Sequence, residues 1–263
     1  MFAAAAFPSM LTPAVARGMP AAFDLRVFNQ LLSTELLGRR IESHARVAST
    51  MDLARAALAR EGAQKSNGLL VLAEEQTAGV GRRGRSWDSA GASNSLLFSI
   101  VLAMPSGAAL FQRMTHLNLA APVAVARACA TAGVGSARIK WPNDVWAGSP
   151  PAKLSGVIVD GNGIDAAVLG VGINVMGQPE GATSVGALLA GGTKADGEGA
   201  DEPAEDCAAR PDNLREALLA QVRPYRALHL PTRTRHMRSA LHSSHIDAQA
   251  VSARDFPAFA VLR

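Results

Sequence analysis

The stretch that most restricts how this chain can fold runs from Gly68 to Met104. Two apolar runs, Gly68 to Glu75 (GLLVLAEE) and Ser95 to Met104 (SLLFSIVLAM), flank the segment QTAGVGRRGRSW at 76–87. Short apolar runs bounded by glycine-rich segments read as buried strands, so the fold must place two strands side by side with this segment between them. The segment interleaves Gly79, Gly81 and Gly84 with Arg82, Arg83 and Arg85. Glycine lets a backbone pass close to a ligand and take positive φ, so that successive N–H groups converge on an anion. Arginine adds permanent charge and a planar fork suited to carboxylate or phosphate oxygens. The combination predicts a loop that closes over an acidic, phosphorylated ligand; the plainer alternative is a solvated basic hairpin.

The rest of the chain supplies a mixed set of elements. Asp24 to Leu37 reads as a helix with Phe23, Val27, Leu31 and Leu32 near one face, and 39–48 as an extended segment. Ser49 and Thr50 then cap a helix over 51–59 with Asp52 in its first turn. The same hydroxyls and free N–H groups could instead face a ligand, because a helix N-terminus carries partial positive charge. A long helix is predicted over 108–132, broken or bent near Pro122. A strand over 136–140 runs into Lys140-Trp141-Pro142-Asn143-Asp144, where a proline beside Asn-Asp should force a tight turn. The runs 154–160 and 166–172 read as a hairpin across Gly161-Asn162-Gly163, and an amphipathic helix is expected over 213–227.

Charge and composition exclude several classes. With 26 basic and 22 acidic residues the net charge is +4, too small an excess to imply nucleic acid, and no apolar run approaches a membrane span. Cys129 and Cys207 lie far apart without metal spacing, which fits a reducing compartment and no chemical role. Residues 1–22 contain a single arginine, no carboxylate and much alanine, consistent with an organelle-targeting segment or a disordered tail, and too short for a winged-helix DNA reader. The acidic stretch 191–212, with glycine and proline, reads as a solvated insert. Residues 231–263 show no clean period and are left unassigned.

Four separated strings then agree in order and spacing with one family. STMDLA at 49–54, EEQTAGVGRRGRSW at 74–87, KWPNDVW at 140–146 with AKLSGVIVD at 152–160, and GVGINV at 170–175 resemble the catalytic domain of biotin protein ligases. The resemblance covers about residues 23–189, and more loosely the helix from 213. It implies an α+β fold, a mixed and largely antiparallel sheet with flanking helices, related to class II aminoacyl-tRNA synthetases and lipoate transferases. On that basis residues 23–230 form one catalytic domain carrying the insert 191–212. The implied activity uses biotin and ATP with Mg²⁺ to make biotinyl-5′-AMP, then passes biotin to a lysine of a biotin carboxyl carrier domain of a biotin-dependent carboxylase. Expected partners are therefore that carrier domain, biotin and ATP, with no nucleic acid and no membrane, a homodimer left open, and a cytoplasmic location unless the N-terminal tail directs otherwise.

Residue by residue, the resemblance places Ser49, Thr50, Met51, Gln76, Gly79, Val80, Gly81, Arg82, Lys153 and Gly156 around biotin. Arg83, Arg85, Trp87, Asn143, Ile173 and Asn174 fall to the nucleotide, and Lys153, Arg82 and Asp144 to catalysis, with no residue assigned to a metal. Asp144 is left with several roles open: orienting Lys153 or an arginine, holding the ribose, helping deprotonate the carrier lysine, or capping a turn. Trp87 and Trp141 are expected to pack the base of the site, and the tongue of glycine and arginine to order over the adenylate. Two departures stand out. The family usually has arginine where this chain has Val80, and residues 228–263 lack the alternation and glycine turns of the small SH3-like barrel that ends many relatives. A lipoate or octanoate ligase, or a non-catalytic biotin- or nucleotide-binding relative, are the alternative readings.

Overall fold

In this computed structural model residues 22–191 and 213–222 are described. The readings for the N-terminal tail, the acidic insert from 192 to 212, Cys207 and everything from 223 on lie outside them. In chain order the elements are α1 (Leu25–Leu31), β1 (Arg40–Val47), α2 (Thr50–Glu61), α3 (Ala63–Ser66), β2 (Leu69–Gln76), β3 (Ser95–Ala103), α4 (Ala108–Thr131), β4 (Arg138–Lys140), β5 (Asp144–Ala147), β6 (Ala152–Gly161), β7 (Ala166–Asn174), α5 (Val185–Ala190) and α6 (Leu214–Gln221). The strands form one sheet in the order β1-β2-β3-β7-β6-β5-β4. Only β1 and β2 run parallel, since the helices α2 and α3 connect them; every other neighbouring pair is antiparallel. The expected mixed, largely antiparallel α+β architecture is what the chain adopts.

Period-two alternation sorts the sheet's side chains into two cores. On β2, Leu70 and Leu72 face the core shared with α4 and α6, while Leu69 and Val71 face α2 and α3. On β7, Ala167, Leu169, Val171 and Ile173 join the first core; Ala166 and Val168 join the second, and the same face continues through Gly170 and Gly172. Each fully buried Leu, Ile, Val or Phe contributes about 1.5–3 kcal/mol, so the sheet is pinned from both faces. The α2 face matters for function, because along β7 its apolar side chains give way to glycine beside the N-terminus of α2.

Several sequence expectations are corrected. The first helix ends at Leu31 rather than Leu37, because Leu32 is extended and Thr34 hydrogen-bonds its hydroxyl to the Leu37 carbonyl, an alternative to the helical ladder. Gly38, at φ +74, then turns the chain into β1 against the Phe28 ring. Phe28, not Val27, is the fully buried residue of this helix. Helix α4 runs unbroken through Pro122, which is buried among Ala120, Ala121, Val123 and Ala124. Packing along this length offsets the roughly 3 kcal/mol that an interior proline costs. Asp144, read as the end of the tight turn, instead opens the strand β5, which runs to Ala147. Helix α6 is not amphipathic in its described part: Leu214 to Ala220 are all buried, Arg215 and Glu216 included. No helix among the described residues is long and apolar enough to cross a membrane.

Candidate functional site

The N-terminus of α2 forms one wall. Ser49 caps the helix by accepting from the Met51 N–H at 3.2 Å, and both Ser49 and Thr50 are buried. The Thr50 hydroxyl lies 2.9 Å from that of Ser99 on β3 and donates to Gln76 Oε1 at 3.0 Å, which also accepts the Thr50 N–H at 2.7 Å. Those two donors fix the Gln76 amide with its oxygen toward α2. The hydroxyl pair expected from sequence therefore serves the cap and the cavity wall together. Ser99, a buried partner on the neighbouring strand, was not legible in the sequence.

Residues 79–87 are not an open loop. Trp87 N–H donates to the Gly79 carbonyl at 2.8 Å, Val80 bridges Ser86, and Gly81 N–H donates to the Arg85 carbonyl at 2.5 Å, making a narrow antiparallel tongue that turns at Arg82-Arg83-Gly84. Arg83 at φ +57 and Gly84 at φ +72 supply the left-handed turn. Gly79 and Gly81 serve another purpose than positive φ. A Cβ on Gly79 would sit 2.7 Å from the Trp87 carbonyl oxygen, and one on Gly81 would sit 2.8 Å from that of Arg85. From the tip, Arg82 Nη1 donates to Asn143 Oδ1 at 3.0 Å, and Asn143 Nδ2 donates to the Val157 carbonyl on β6 at 2.8 Å, which ties the tongue to the sheet. Arg83 and Arg85 are exposed.

Three strand glycines make the floor. A Cβ on Gly172 would lie 2.5 Å from the Trp87 indole, one on Gly156 would lie 3.0 Å from it, and one on Gly170 would lie 2.6 Å from Met51 Sδ. Beside them Lys153 Nζ meets Asp144 Oδ1 at 3.0 Å and stands 5.5 Å from the Trp87 ring centroid. Both partners of this pair are partly exposed, so the pairing fixes geometry more than it adds stability. An ammonium carries three donors and one is engaged here, which leaves donors for an entering anion.

Ser49, Thr50, Met51, Gln76, Val80, Gly81, Lys153 and Gly156 converge on one cavity, with Gly79 and Arg82 in the tongue above it. Trp87, expected beside the nucleotide, lines the same cavity, as do Gly170, Gly172 and the β6 residues Val157 and Ile158, which sequence reading did not single out. A strand with glycine at alternate positions, as in GVGIN, is a signal that something bulky approaches that face. The Ile173 side chain is not brought to the cavity; strand alternation turns it into the core on the opposite face. Asn174 is buried, donates to the Thr183 carbonyl at 3.0 Å and the Lys153 carbonyl at 3.4 Å, and keeps an unpartnered buried Oδ1. Trp141 does not pack the base of the site: it is 58% exposed at the β4–β5 turn. Trp146 instead lies under the Lys140 ammonium at 3.4 Å. Cys129 is buried, and that burial pushes its thiol up to about 12, which leaves it chemically inert at neutral pH. Among the described residues no three His, Cys, Asp or Glu side chains cluster to hold a metal.

The cavity thus lies between a helix N-terminus and a glycine-floored sheet, with the tongue residues Val80, Gly81 and Trp87 and the lysine Lys153 on its walls. Residues 38–174, more than half of the chain, match the family model described as "Biotin/lipoate A/B protein ligase family", and the chain belongs to that family. Within it, the chain is similar to the biotin–[acetyl-CoA-carboxylase] ligase of Paracoccus denitrificans, at 38% identity over 124 residues covering 44% of this chain and 49% of that one. Its likeness to the enzyme of the same name from Mycobacterium tuberculosis (strain ATCC 25618 / H37Rv) is 36% over 160 residues, covering 58% and 55%. The chain thus spans about half the length of the curated relatives it matches. The crystal structure of a biotin protein ligase from Leishmania major in complex with biotin shares the fold, with a TM-score of 0.50 at 24% identity, covering 70% of this chain and 73% of that one.

Proposed function

We propose that this chain is an ATP-dependent biotin protein ligase, which activates biotin as biotinyl-5′-AMP and transfers it to a lysine of a biotin carboxyl carrier domain. The observation that carries this reading is the convergence on one cavity of side chains from four separate segments, Ser49–Met51, Gln76, Val80–Trp87 and Lys153–Gly156. The named relatives that act on biotin add support for biotin over lipoate as the acid.

The residues suit the chemistry. A carboxylate attacking an α-phosphorus brings anion to anion, and two unit charges about 4 Å apart repel by ~4 kcal/mol at an effective dielectric near 20. Lys153, held in place by Asp144, puts a cation at the cavity wall before reaction, and Arg82, held by Asn143, adds one at the tip of the tongue. The buried hydroxyls of Ser49 and Thr50 and the Gln76 amide would hold the polar end of the acid. The glycine floor and the Trp87 indole would take a flat apolar ring system. With Val80 in place of arginine, Lys153 and Arg82 carry more of the charge than in most relatives. Asp144 orients Lys153 in this scheme. ATP would arrive as its magnesium complex, a substrate rather than an occupant of a protein metal site.

Incubation with MgATP, radiolabelled biotin and an apo carrier domain tests the proposal, and label should appear on the carrier. Pyrophosphate exchange supported by lipoate or octanoate but not biotin would move the chain to the other branch of its family. Biotin binding by calorimetry with no exchange at all would make it a non-catalytic relative.

A further inference from the structure

Beyond the cavity, the structure contains a buried polar network that the reaction scheme does not use. Glu74 on β2 accepts at Oε2 from Arg215 Nη1 of α6 at 2.6 Å and from the Ser93 hydroxyl at 2.7 Å, and at Oε1 from the Phe23 N–H at 2.7 Å. Ser93 N–H also donates to the Glu74 carbonyl at 2.9 Å, and the Arg215 guanidinium lies 5.8 Å above the Phe23 ring. Glu216, the next residue of α6, accepts the Asp24 N–H at 2.6 Å. The side chains of Arg215 and Glu74 are 7% and 14% exposed, so their charge-assisted hydrogen bond is sheltered from solvent.

The position of Ser93 gives this network a consequence. It ends the segment that leaves the tongue at Trp87 and re-enters the sheet at Ser95, and it holds a left-handed φ of +59. A non-glycine residue keeps that conformation only where its surroundings hold it. The near end of the tongue is tied to α2 through Gln76; the far end is tied to the sheet by Ser95 on Ser89 and by Asn94 on Val175 and Met176, and to α6, more than a hundred residues later, by Ser93 through Glu74. We infer that Glu74, Ser93 and Arg215 are positioning residues that form the far hinge of the tongue, so that α6 sets how firmly the tongue closes over the cavity. The inference rests on the ligase reading only in what the tongue retains, an acyl-adenylate.

Ser93→Gly tests it, because glycine removes the hydroxyl tie and also relieves the left-handed backbone. Ala90→Gly is the matched control: Ala90, at φ +53 in the same segment, gains equal freedom but has no side-chain tie to lose, and glycine keeps its backbone hydrogen bonds to Asp88 and Asn94. Trypsin cleavage after Arg82, Arg83 or Arg85 in the folded full chain, and release of biotinyl-adenylate formed in place, are followed for both variants with thermal midpoints alongside. Loss of one hydrogen bond to a charged group predicts roughly tenfold faster tongue cleavage and adenylate release in Ser93→Gly, with the midpoint held. Ala90→Gly should leave both rates near those of the unmodified chain. Equal behaviour of the two glycine variants overturns the hinge. Arg215→Lys keeps the charge but not the fork and should speed cleavage less than Ser93→Gly; cleavage identical to the unmodified chain removes α6 from it. If the unmodified chain traps no adenylate, the ligase reading fails while the cleavage comparison still decides the hinge.

Discussion

The turn of the tongue at 82–84 and the floor made by β6 and β7 both depend on glycine, and they use it in opposite ways. In the tongue Gly84 sits at φ +72 and makes the turn, an exposed position where the residue is needed for its backbone. In the floor Gly156, Gly170 and Gly172 lie within extended strands, and what matters is the missing side chain, which leaves room for the Trp87 indole and Met51. Substitution in the floor should therefore act through volume and strike the cavity directly. Substitution of Gly84 at the tongue's turn should act through conformation and change retention more than chemistry, whereas Gly79 and Gly81 share the volume constraint of the floor.

Five measurements sharpen or break that contrast, from the largest effect to the smallest. Lys153→Ala, at the edge of the floor, should lower biotin-dependent pyrophosphate exchange by roughly 10²–10³ or more, the usual scale for removing a preorganised charge partner; exchange near the original rate would take Lys153 out of the mechanism. Gly172→Ala puts a Cβ 2.5 Å from the indole. It should cost about 1–3 kcal/mol of thermal stability by overpacking and raise the KM for biotin steeply; an unchanged KM would mean the indole is free to move aside. Arg82→Ala should lower exchange less than Lys153→Ala does and release the adenylate roughly tenfold faster, the loss expected for one charged hydrogen bond, and filter binding of trapped adenylate reads it out. Gly84→Ala costs about 1–2 kcal/mol at the left-handed position, which should loosen the tongue without altering the KM for biotin. Val80→Arg, restoring a cation on an exposed tongue position, should lower the KM for ATP by a few-fold at low salt, with the gain fading as salt rises.

The far hinge adds a pH dependence with a defined sign. Burial pushes the Glu74 carboxyl up, but the Arg215 hydrogen bond, with those from Phe23 and Ser93, outweighs it and holds the group below the usual carboxylate range. Its contribution to stability is present above the unfolded carboxylate value and is lost as pH falls through the folded one. Glu74→Gln should accordingly flatten the acid side of a thermal-midpoint profile. Glu216 has the opposite sign: burial raises its carboxyl, so ionisation costs stability near neutral pH and that cost disappears in acid.

Much of this was legible in the sequence because it is written in local chemistry. The short apolar runs marked β2, β3, β6 and β7 as strands, Ser49 announced the cap of α2, and the strings at 49–54, 74–87 and 152–160 contain residues that line the cavity. The length of α1 was not legible, because Thr34 stops it through a hydrogen bond that competes with helix. Nor was the place of Ile173, whose motif looks like a ligand contact but whose side of the strand belongs to the core.

By itself, then, the sequence determined the strand pattern, the capped helix and the residue types that an acid and a phosphate require, since periodicity and capping depend on neighbours a few residues away. Only the tertiary structure decided that Lys153 meets Asp144, that Trp87 lies on Gly156 and Gly172, and that Arg215 reaches Glu74 across 141 positions of chain. Such pairings depend on strand register and on the packing of distant elements, which no local stretch of residues encodes.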